Sequence, residues 1–298
     1  MTIGLAWHHQ VADAEAMMSF MHAWKLTVKG IDPPSYSSHD RSLMMAKHPP
    51  QPAYEHKEFK MPQQGKKDTK SIPSKKQELV VKKLHFSAQL LQQIREEAKR
   101  GGGEEYTRFE SVMGHLWRCI TKARGLEEED TIEEGAGVTR LSVAVNARKR
   151  MNPKIESNYF GNVVCPICAT SNFTKLIREP LGYASNLVKE SIKQVSEEYV
   201  RSSLDYVELK ERCPYEGKRT DGSVLTPNLS VTSWATLPLY ELDFGRGCPL
   251  FAGNAFIPFE GLVIILPPPP PNDGSLHVVL GLFASAMDNL LSMYDSIF

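Results

Sequence analysis

Between Ala14 and Val28 the apolar residues Met17, Met18, Phe20, Met21, Trp24 and Val28 return every three or four positions, which predicts an amphipathic helix. The short apolar run Ile3 to Trp7 reads as a strand end, so His8 to Asp13 fall at a strand-to-helix junction. From Gly30 to Gln77 the periodicity dissolves into prolines interleaved with Lys, Ser and Gln. A stretch this long without pattern is a functional connection or a domain linker, and its prolines favour an extended path. Structure resumes at Leu79. Ser87 is a candidate N-cap for a helix striped by Leu90, Leu91, Ile94 and Ala98, which Gly101-Gly102-Gly103 end. Thr107 and Glu110 have capping-box spacing before a third helix carrying Phe109, Val112, Met113, Leu116, Trp117 and Ile120.

Leu141 to Val145, Val163 to Ile167, Leu229 to Trp234, Gly261 to Leu266 and Leu276 to Leu282 read as strands. Pro180 suits the first turn of one long helix through Leu181, Ala184, Leu187, Val188, Ile192, Val195 and Tyr199. A last helix spans Ala284 to Ser296, and the run Pro267 to Pro271 reads as a surface loop between two strands. Helices and strands mix without a regular βαβ rhythm, which predicts an α+β two-layer sandwich rather than a doubly wound sheet.

Composition narrows the functional classes. Lys+Arg and Asp+Glu are equal at 35 each among 298 residues, so no net field draws nucleic acid or an anionic membrane, and an anionic ligand needs local cations. No signal-peptide pattern and no bilayer-length apolar segment is visible, so a soluble, reducing, cytoplasmic setting is expected. The five cysteines, Cys119, Cys165, Cys168, Cys213 and Cys248, are odd in number and scattered, which argues against a disulfide framework. Cys165 and Cys168 have CxxC spacing but no partner pair, and read as buried small residues near a strand end rather than metal or redox groups.

The candidate chemistry lies at His9-Gln-Val-Ala-Asp13. A histidine at such a junction can project into a cleft and exchange a proton near neutrality, while the aspartate braces the loop through an arginine. This HxxxD arrangement says little alone. It is joined by Asn146-Ala147-Arg148, by Asn158 to Val163 (NYFGNV), by Asn228 to Trp234, and by Asp243-Phe244-Gly245-Arg246-Gly247. Together, and in this order, these resemble the BAHD family of plant acyl-CoA-dependent acyltransferases, whose second signature is DFGWG. The surrounding text, including Asp40 to Leu43, Trp117-Arg118 and Ala123 to Gly125, resembles its hydroxycinnamoyltransferase branch.

The resemblance implies two chloramphenicol-acetyltransferase-like sandwiches joined by a crossover, with the active site in a channel between them. Residues 1–29 would be a remnant of the N-terminal domain, 30–77 the crossover, and 78–298 the C-terminal domain, with about 211–235 siding with the N-terminal one. His9 would take a proton from an alcohol or amine acceptor, which then attacks the acyl-CoA thioester without an acyl-enzyme. Asp13 would be structural and paired with Arg148. Thr232 or Trp234 would donate to the oxyanion beside the acceptor, and Asp243, Phe244, Gly245 and Gly247 would shape a supporting loop with Phe244 as a buried plug. Arg148, Lys149 and Arg150 form the best cluster for CoA phosphates, with Lys75-Lys76 and Lys82-Lys83 as rivals. The implied partners are acyl-CoA as co-substrate and a small acceptor, with no resident cofactor, no metal, no nucleic acid, no membrane and a monomeric state.

Three departures qualify this. Family members carry a long segment before the histidine, so the chain is expected to be an N-terminally truncated member, and a catalytically inactive fragment or interaction module is the alternative. Ala14 and Arg246 replace the usual glycine and tryptophan of the two motifs. Thr236 stands where enzymes using shikimate or quinate carry an arginine, which would remove a charge-assisted bond of about 1.5–3 kcal/mol to the acceptor's carboxylate. The run Leu280 to Met287 instead resembles the branch that feruloylates long-chain hydroxy acids and fatty alcohols. A peptide-synthetase condensation domain, which shares HHxxxD, ranks last because it lacks the Asp243 motif.

Overall fold

The computed structural model describes residues 1–59, 78–100, 104–126, 137–210 and 225–297. Six strands, β1 (Leu79–Phe86), β2 (Val138–Asn146), β3 (Val164–Asn172), β4 (Leu229–Ser233), β5 (Leu262–Leu266) and β6 (Leu276–Phe283), form one mixed sheet in the order β1-β6-β5-β4-β2-β3. The outer pairs β1·β6, β5·β6 and β2·β3 are antiparallel, whereas β4 runs parallel to both β2 and β5. Seven α-helices accompany it among the described residues: α1 (Ala14–Val28), α2 (Ala88–Lys99), α3 (Arg108–Ala123), α4 (Phe173–Arg178), α5 (Leu181–Lys193), α6 (Glu197–Leu209) and α7 (Ala284–Leu291).

Alternation along each strand divides the sheet into two faces. One face presents Leu84, Phe86, Leu141, Val143, Ile167, Val231, Val263, Ile265, Val278 and Leu280 to α2, α3, α5 and α7, making a single large core. The helix α3 lies in the middle of it, with Trp117 fully buried and its indole N–H donating to Thr139 Oγ1 at 3.1 Å. The opposite face carries a smaller apolar cluster, Ile257, Ile264, Leu266 and Val279, against which Trp234 packs. Gly281 is needed there, because a Cβ would meet Ile257 Cγ2 at 2.8 Å. This is the two-layer α+β architecture the pattern predicts.

Local capping explains where helices start. Ser87 Oγ accepts from Leu90 N at 3.2 Å, and Thr107 and Glu110 form a reciprocal capping box. The expected long helix after Pro180 is two helices. It breaks at Gln194–Ser196, where Ser196 Oγ caps α6 by accepting from Tyr199 N, and Arg150 caps the end of α5 by donating to the carbonyls of Ile192 and Val195. Pro180 is the N-cap rather than a first-turn residue. The last helix stops at Leu291, not Ser296.

Two further expectations are corrected. Ile3 to Trp7 is not a strand: it pairs with no strand among the described residues, and Ile3 and Leu5 are exposed. The face of α1 is only partly covered, since Met17, Met18 and Met21 are buried while Phe20, Trp24 and Val28 stay exposed. Residues 229–233 form the expected strand, β4, whose amides and carbonyls pair on both sides. The Gly101-Gly102-Gly103 stop, Lys75-Lys76, Cys213 and residues 211–224 lie outside the described residues.

The described part of the long connection, 30–59, is stapled to α6. Asp205, fully buried, accepts from Lys47 N at 2.7 Å and Gln51 N at 3.1 Å. Ser202 Oγ accepts from Ala53 N and Tyr54 N and lies at hydrogen-bond distance, 2.8 Å, from His56 Nε2. His56, held at a left-handed φ of 50°, meets Glu58 Oε1 through its other ring nitrogen at 2.8 Å. Burial works to raise the Glu58 carboxyl, but hydrogen bonds from His56 and Tyr199 outweigh it and hold the group below the usual range.

Candidate active site

His9 sits on an exposed turn closed by a Val11 N–H to His8 C=O hydrogen bond of 2.9 Å, immediately before α1. Four residues later Asp13 is buried and is the N-cap of that helix. Its Oδ1 accepts from Ala16 N at 3.0 Å and from Arg148 Nη2 at 2.9 Å, and its Oδ2 accepts from Arg148 Nη1 at 2.8 Å and Val163 N at 2.9 Å. The carboxylate thus holds four hydrogen bonds, two of them from one guanidinium in fork geometry. Arg148 Nη2 also donates to Gly161 C=O at 3.2 Å. One buried ion pair therefore ties the start of α1 to the connection between β2 and β3.

That connection supplies more than the arginine. Asn162 Nδ2 donates to the backbone carbonyl of His9 at 2.8 Å, and Asp13 N donates to Gly161 C=O at 3.4 Å. Asn146 bonds Glu15, and Ser19 Oγ donates to Ser157 C=O at 2.6 Å. Gly161 has no room for a side chain, since a Cβ would collide with Arg41 and Tyr159. The Asp13–Arg148 pairing was legible from the motif order, while Asn162 gave no separate signal beyond its place in NYFGNV.

The far end of α1 is held by the second motif. Asp243 Oδ1 accepts from Gly245 N and Gly247 N, both at 2.8 Å, and from Arg246 N at 3.1 Å. Its Oδ2 pairs with Lys29 Nζ at 2.7 Å, and Lys25 Nζ donates to Glu241 C=O. Gly245 and Gly247 both have left-handed φ, 84° and 87°, which is why glycine serves there. The Lys29 hydrogen bond lowers the Asp243 carboxyl, and the loop amides add to it. Phe244 is not a buried plug. It is half-buried, with its ring meeting Trp24 edge-on at 5.1 Å. Arg246 is exposed.

Other expected site residues are dispersed. Thr232 and Trp234 share the helix-free face of the sheet, Thr232 half-buried and opposite Ile264, with Trp234 N donating to Ile265 C=O at 2.7 Å. Among the described residues no hydrogen bond or ring contact joins either to His9. Thr236 is exposed just beyond the strand. The CoA assignment of Arg148 is overturned, because its guanidinium is buried and engaged with Asp13 and Gly161; Arg150 likewise points at the end of α5. Lys149 alone of the three is exposed. Cys165 faces the core and Cys168, three positions on, the other side of the strand, so they cannot share a ligand. Among the described residues no group of three metal-ligating side chains occurs, and no helix is long and apolar enough to cross a membrane.

Comparison with known proteins gives this geometry its context. Agmatine hydroxycinnamoyltransferase 1 of Oryza sativa subsp. japonica is 33% identical over 300 residues, which take in 97% of this chain and 65% of that protein. Shikimate O-hydroxycinnamoyltransferase of Nicotiana tabacum is 31% identical over 291 residues, 96% of this chain and 64% of that protein. The chain thus spans less than two thirds of the length of these relatives. Among solved structures, F. graminearum TRI101 complexed with coenzyme A and T-2 mycotoxin matches with a TM-score of 0.73 at 18% identity, over 95% of this chain and 62% of that one. Vinorine synthase matches with a TM-score of 0.66 at 18% identity, over 97% and 62%. These two likenesses show a shared fold. A sequence model described as the Transferase family matches residues 1–294, so that the chain, from the HxxxD turn to the last helix, belongs to the Transferase family of BAHD acyltransferases.

Proposed function

We propose that the protein transfers an acyl group, of the hydroxycinnamoyl type, from its CoA thioester to a small alcohol or amine, with His9 as general base. The observation that carries this reading is the exposed His9 on a turn fixed by the buried, bidentate Asp13–Arg148 pair. The relatives named as agmatine transferases, from Oryza sativa and Hordeum vulgare, favour an amine acceptor.

The steps balance without a covalent enzyme intermediate. The acceptor's O–H or N–H proton passes to the free imidazole nitrogen as its oxygen or nitrogen bonds to the thioester carbon. The tetrahedral intermediate carries an oxyanion, for which Thr232 Oγ1 or the Trp234 indole N–H is the candidate donor. Collapse breaks the C–S bond, and the imidazolium returns its proton to the departing sulfur, releasing free CoA thiol and an ester or amide. A primary amine resembles the lysine side chain, with a pKa of about 10.4, so its neutral fraction sets the rate near neutrality. No resident cofactor enters these steps, since acyl-CoA is consumed as a substrate. For the CoA phosphates, exposed Lys149 is the remaining member of its cluster.

The reading is tested by following free CoA thiol with p-coumaroyl-CoA and a panel containing agmatine, shikimate and a long-chain alcohol. Release with an acceptor, absent in His9→Ala, is the expected result. Equal release in the two proteins would overturn the role of His9, and none with any acceptor would overturn the transferase reading and favour a non-catalytic member of the family. Little or no use of shikimate is expected, because Thr236 offers no cation to its carboxylate.

A further inference from the structure

The imidazole of His9 makes no hydrogen bond among the described residues, yet the backbone beneath it is fixed. Val11 N–H closes on His8 C=O, Trp7 Nε1 donates to Ala12 C=O at 2.8 Å, and Asp13 N donates to Gly161 C=O. Among the described residues one side chain reaches the backbone of residue 9 itself: Asn162 Nδ2 donates to its carbonyl at 2.8 Å. Asn162 is half-buried, and it stands between two residues that both serve Asp13. Gly161 C=O accepts from Asp13 N and Arg148, and Val163 N donates to the carboxylate. The backbone that carries the amide is therefore held beside the turn by the buried ion pair.

We infer that Asn162 is a positioning residue for His9, holding the peptide plane that follows the histidine and so the direction in which its imidazole leaves the turn. The inference rests on the general-base reading of His9 and deepens it. The reason is chemical. A carbonyl on an exposed turn can satisfy itself with water in many orientations, so without a fixed donor the Cα–Cβ bond of residue 9 samples a cone of directions. A general base must lie within hydrogen-bond reach of the proton it takes, and a displacement of about 1 Å at the reacting groups costs on the order of 100-fold in rate. Asn162 supplies an N–H donor of fixed length from a segment already immobilised by Asp13. The side chain touches no reacting atom in this role, so its effect is on kcat rather than on the affinity for either substrate.

Three variants separate positioning from filling space. Asn162→Asp keeps the shape but presents an acceptor to an acceptor. Asn162→Gln keeps the donor on a longer arm, and Asn162→Ala removes both. The expected order of kcat is wild type, then Gln, then Ala and Asp together, with Ala and Asp about 10- to 100-fold down. KM for acyl-CoA and acceptor stay where they are in wild type, and so does the midpoint of the acid limb of the pH–rate profile in Ala and Gln, whereas the carboxylate introduced in Asp raises that midpoint. A space-filling role predicts the reverse order, Asp above Gln, and that order, or an unchanged kcat in Ala, would overturn the inference.

A second readout does not depend on turnover. In protein labelled with 15N-histidine, the His9 ring signals are identified by their loss in His9→Ala. One sharp set is expected in wild type and broadened or multiple sets in Asn162→Ala, which removes the donor without adding a charge, with the histidines outside the turn unmoved. Identical His9 signals in the two proteins would overturn the inference. If wild type releases no CoA, the general-base reading fails while this spectrum still decides whether Asn162 orders residue 9.

Discussion

Removing the Asp13 carboxylate puts the site's architecture to a quantitative test. In Asp13→Leu the guanidinium of Arg148, 2% exposed, loses both bidentate partners and keeps only Gly161 C=O. Breaking a buried pair on one side costs about 3–5 kcal/mol, because the remaining charge is left uncompensated. Two backbone donors, Ala16 N and Val163 N, lose their acceptor as well, and the cap alone is worth about 1 kcal/mol. These losses overlap, so the expected total is about 4 kcal/mol rather than their sum, equivalent to a fall in Tm on the order of 10 °C if unfolding is global. The double variant Asp13→Leu with Arg148→Met removes both charges and leaves apolar groups of similar reach. It should be more stable than Asp13→Leu by at least about 2 kcal/mol, since a pair replaced as a unit is close to neutral. Urea unfolding of the four proteins of the cycle, with hydrogen exchange at Ala16 and Val163, gives the coupling energy. A single variant within about 0.5 kcal/mol of wild type, the range of ordinary surface changes, or a double variant equal to the sum of the two singles, would refute the argument that the pair anchors α1.

Burial pushes the Cys119 and Cys165 thiols up to about 12, so at mildly alkaline pH both should resist iodoacetamide while exposed Cys248 is alkylated; peptide mass spectrometry before and after denaturant checks this. Because Lys29 and the loop amides depress Asp243, the ordering of its loop is fully present above the ordinary carboxylate pKa of about 3.9 and is lost as pH falls through the lower folded value. The Gly245 and Gly247 amide signals should therefore titrate below that ordinary value, and Asp243→Asn should abolish the transition. Asp205→Ala leaves Lys47 N and Gln51 N without an acceptor, a local cost of about 1–3 kcal/mol, and should speed proteolysis within residues 47–59 while the sheet's exchange protection is unchanged.

The legible parts of the fold were those that residues signal locally. Ser87 and the Thr107–Glu110 box mark helix starts because their side chains answer nearby backbone donors, and the strand β6 declares itself through continuous apolar residues. The break between α5 and α6 was hidden because the apolar spacing from Leu181 to Tyr199 stays in helical phase across it, whereas the deciding contacts come from Arg150, far back in the chain. The partial coverage of α1 was invisible for the same reason: periodicity names the apolar face but not the surface that meets it. Within the candidate site, motif order made the Asp13–Arg148 pair legible and misled about Arg148 and CoA, because a run of three cations does not say which one is buried. Asn162 and the Ser202–His56 contact were missed, since hydrogen bonds between residues 146 or more positions apart leave no spacing to read.

The parallel strand β4 bridges β2 on one side and β5 on the other, so the β2–β3 hairpin and the β1–β6–β5 group are joined in backbone pairing through these five residues. Their partners lie well before and well after them in the chain, and such non-local closure is slow. A chain in which this strip is not yet paired holds the sheet as two separate pieces. Until that strip seats, each piece exposes a raw inner edge, so substitutions in Leu229–Ser233 should show themselves first as slower refolding and more aggregation rather than as weaker chemistry.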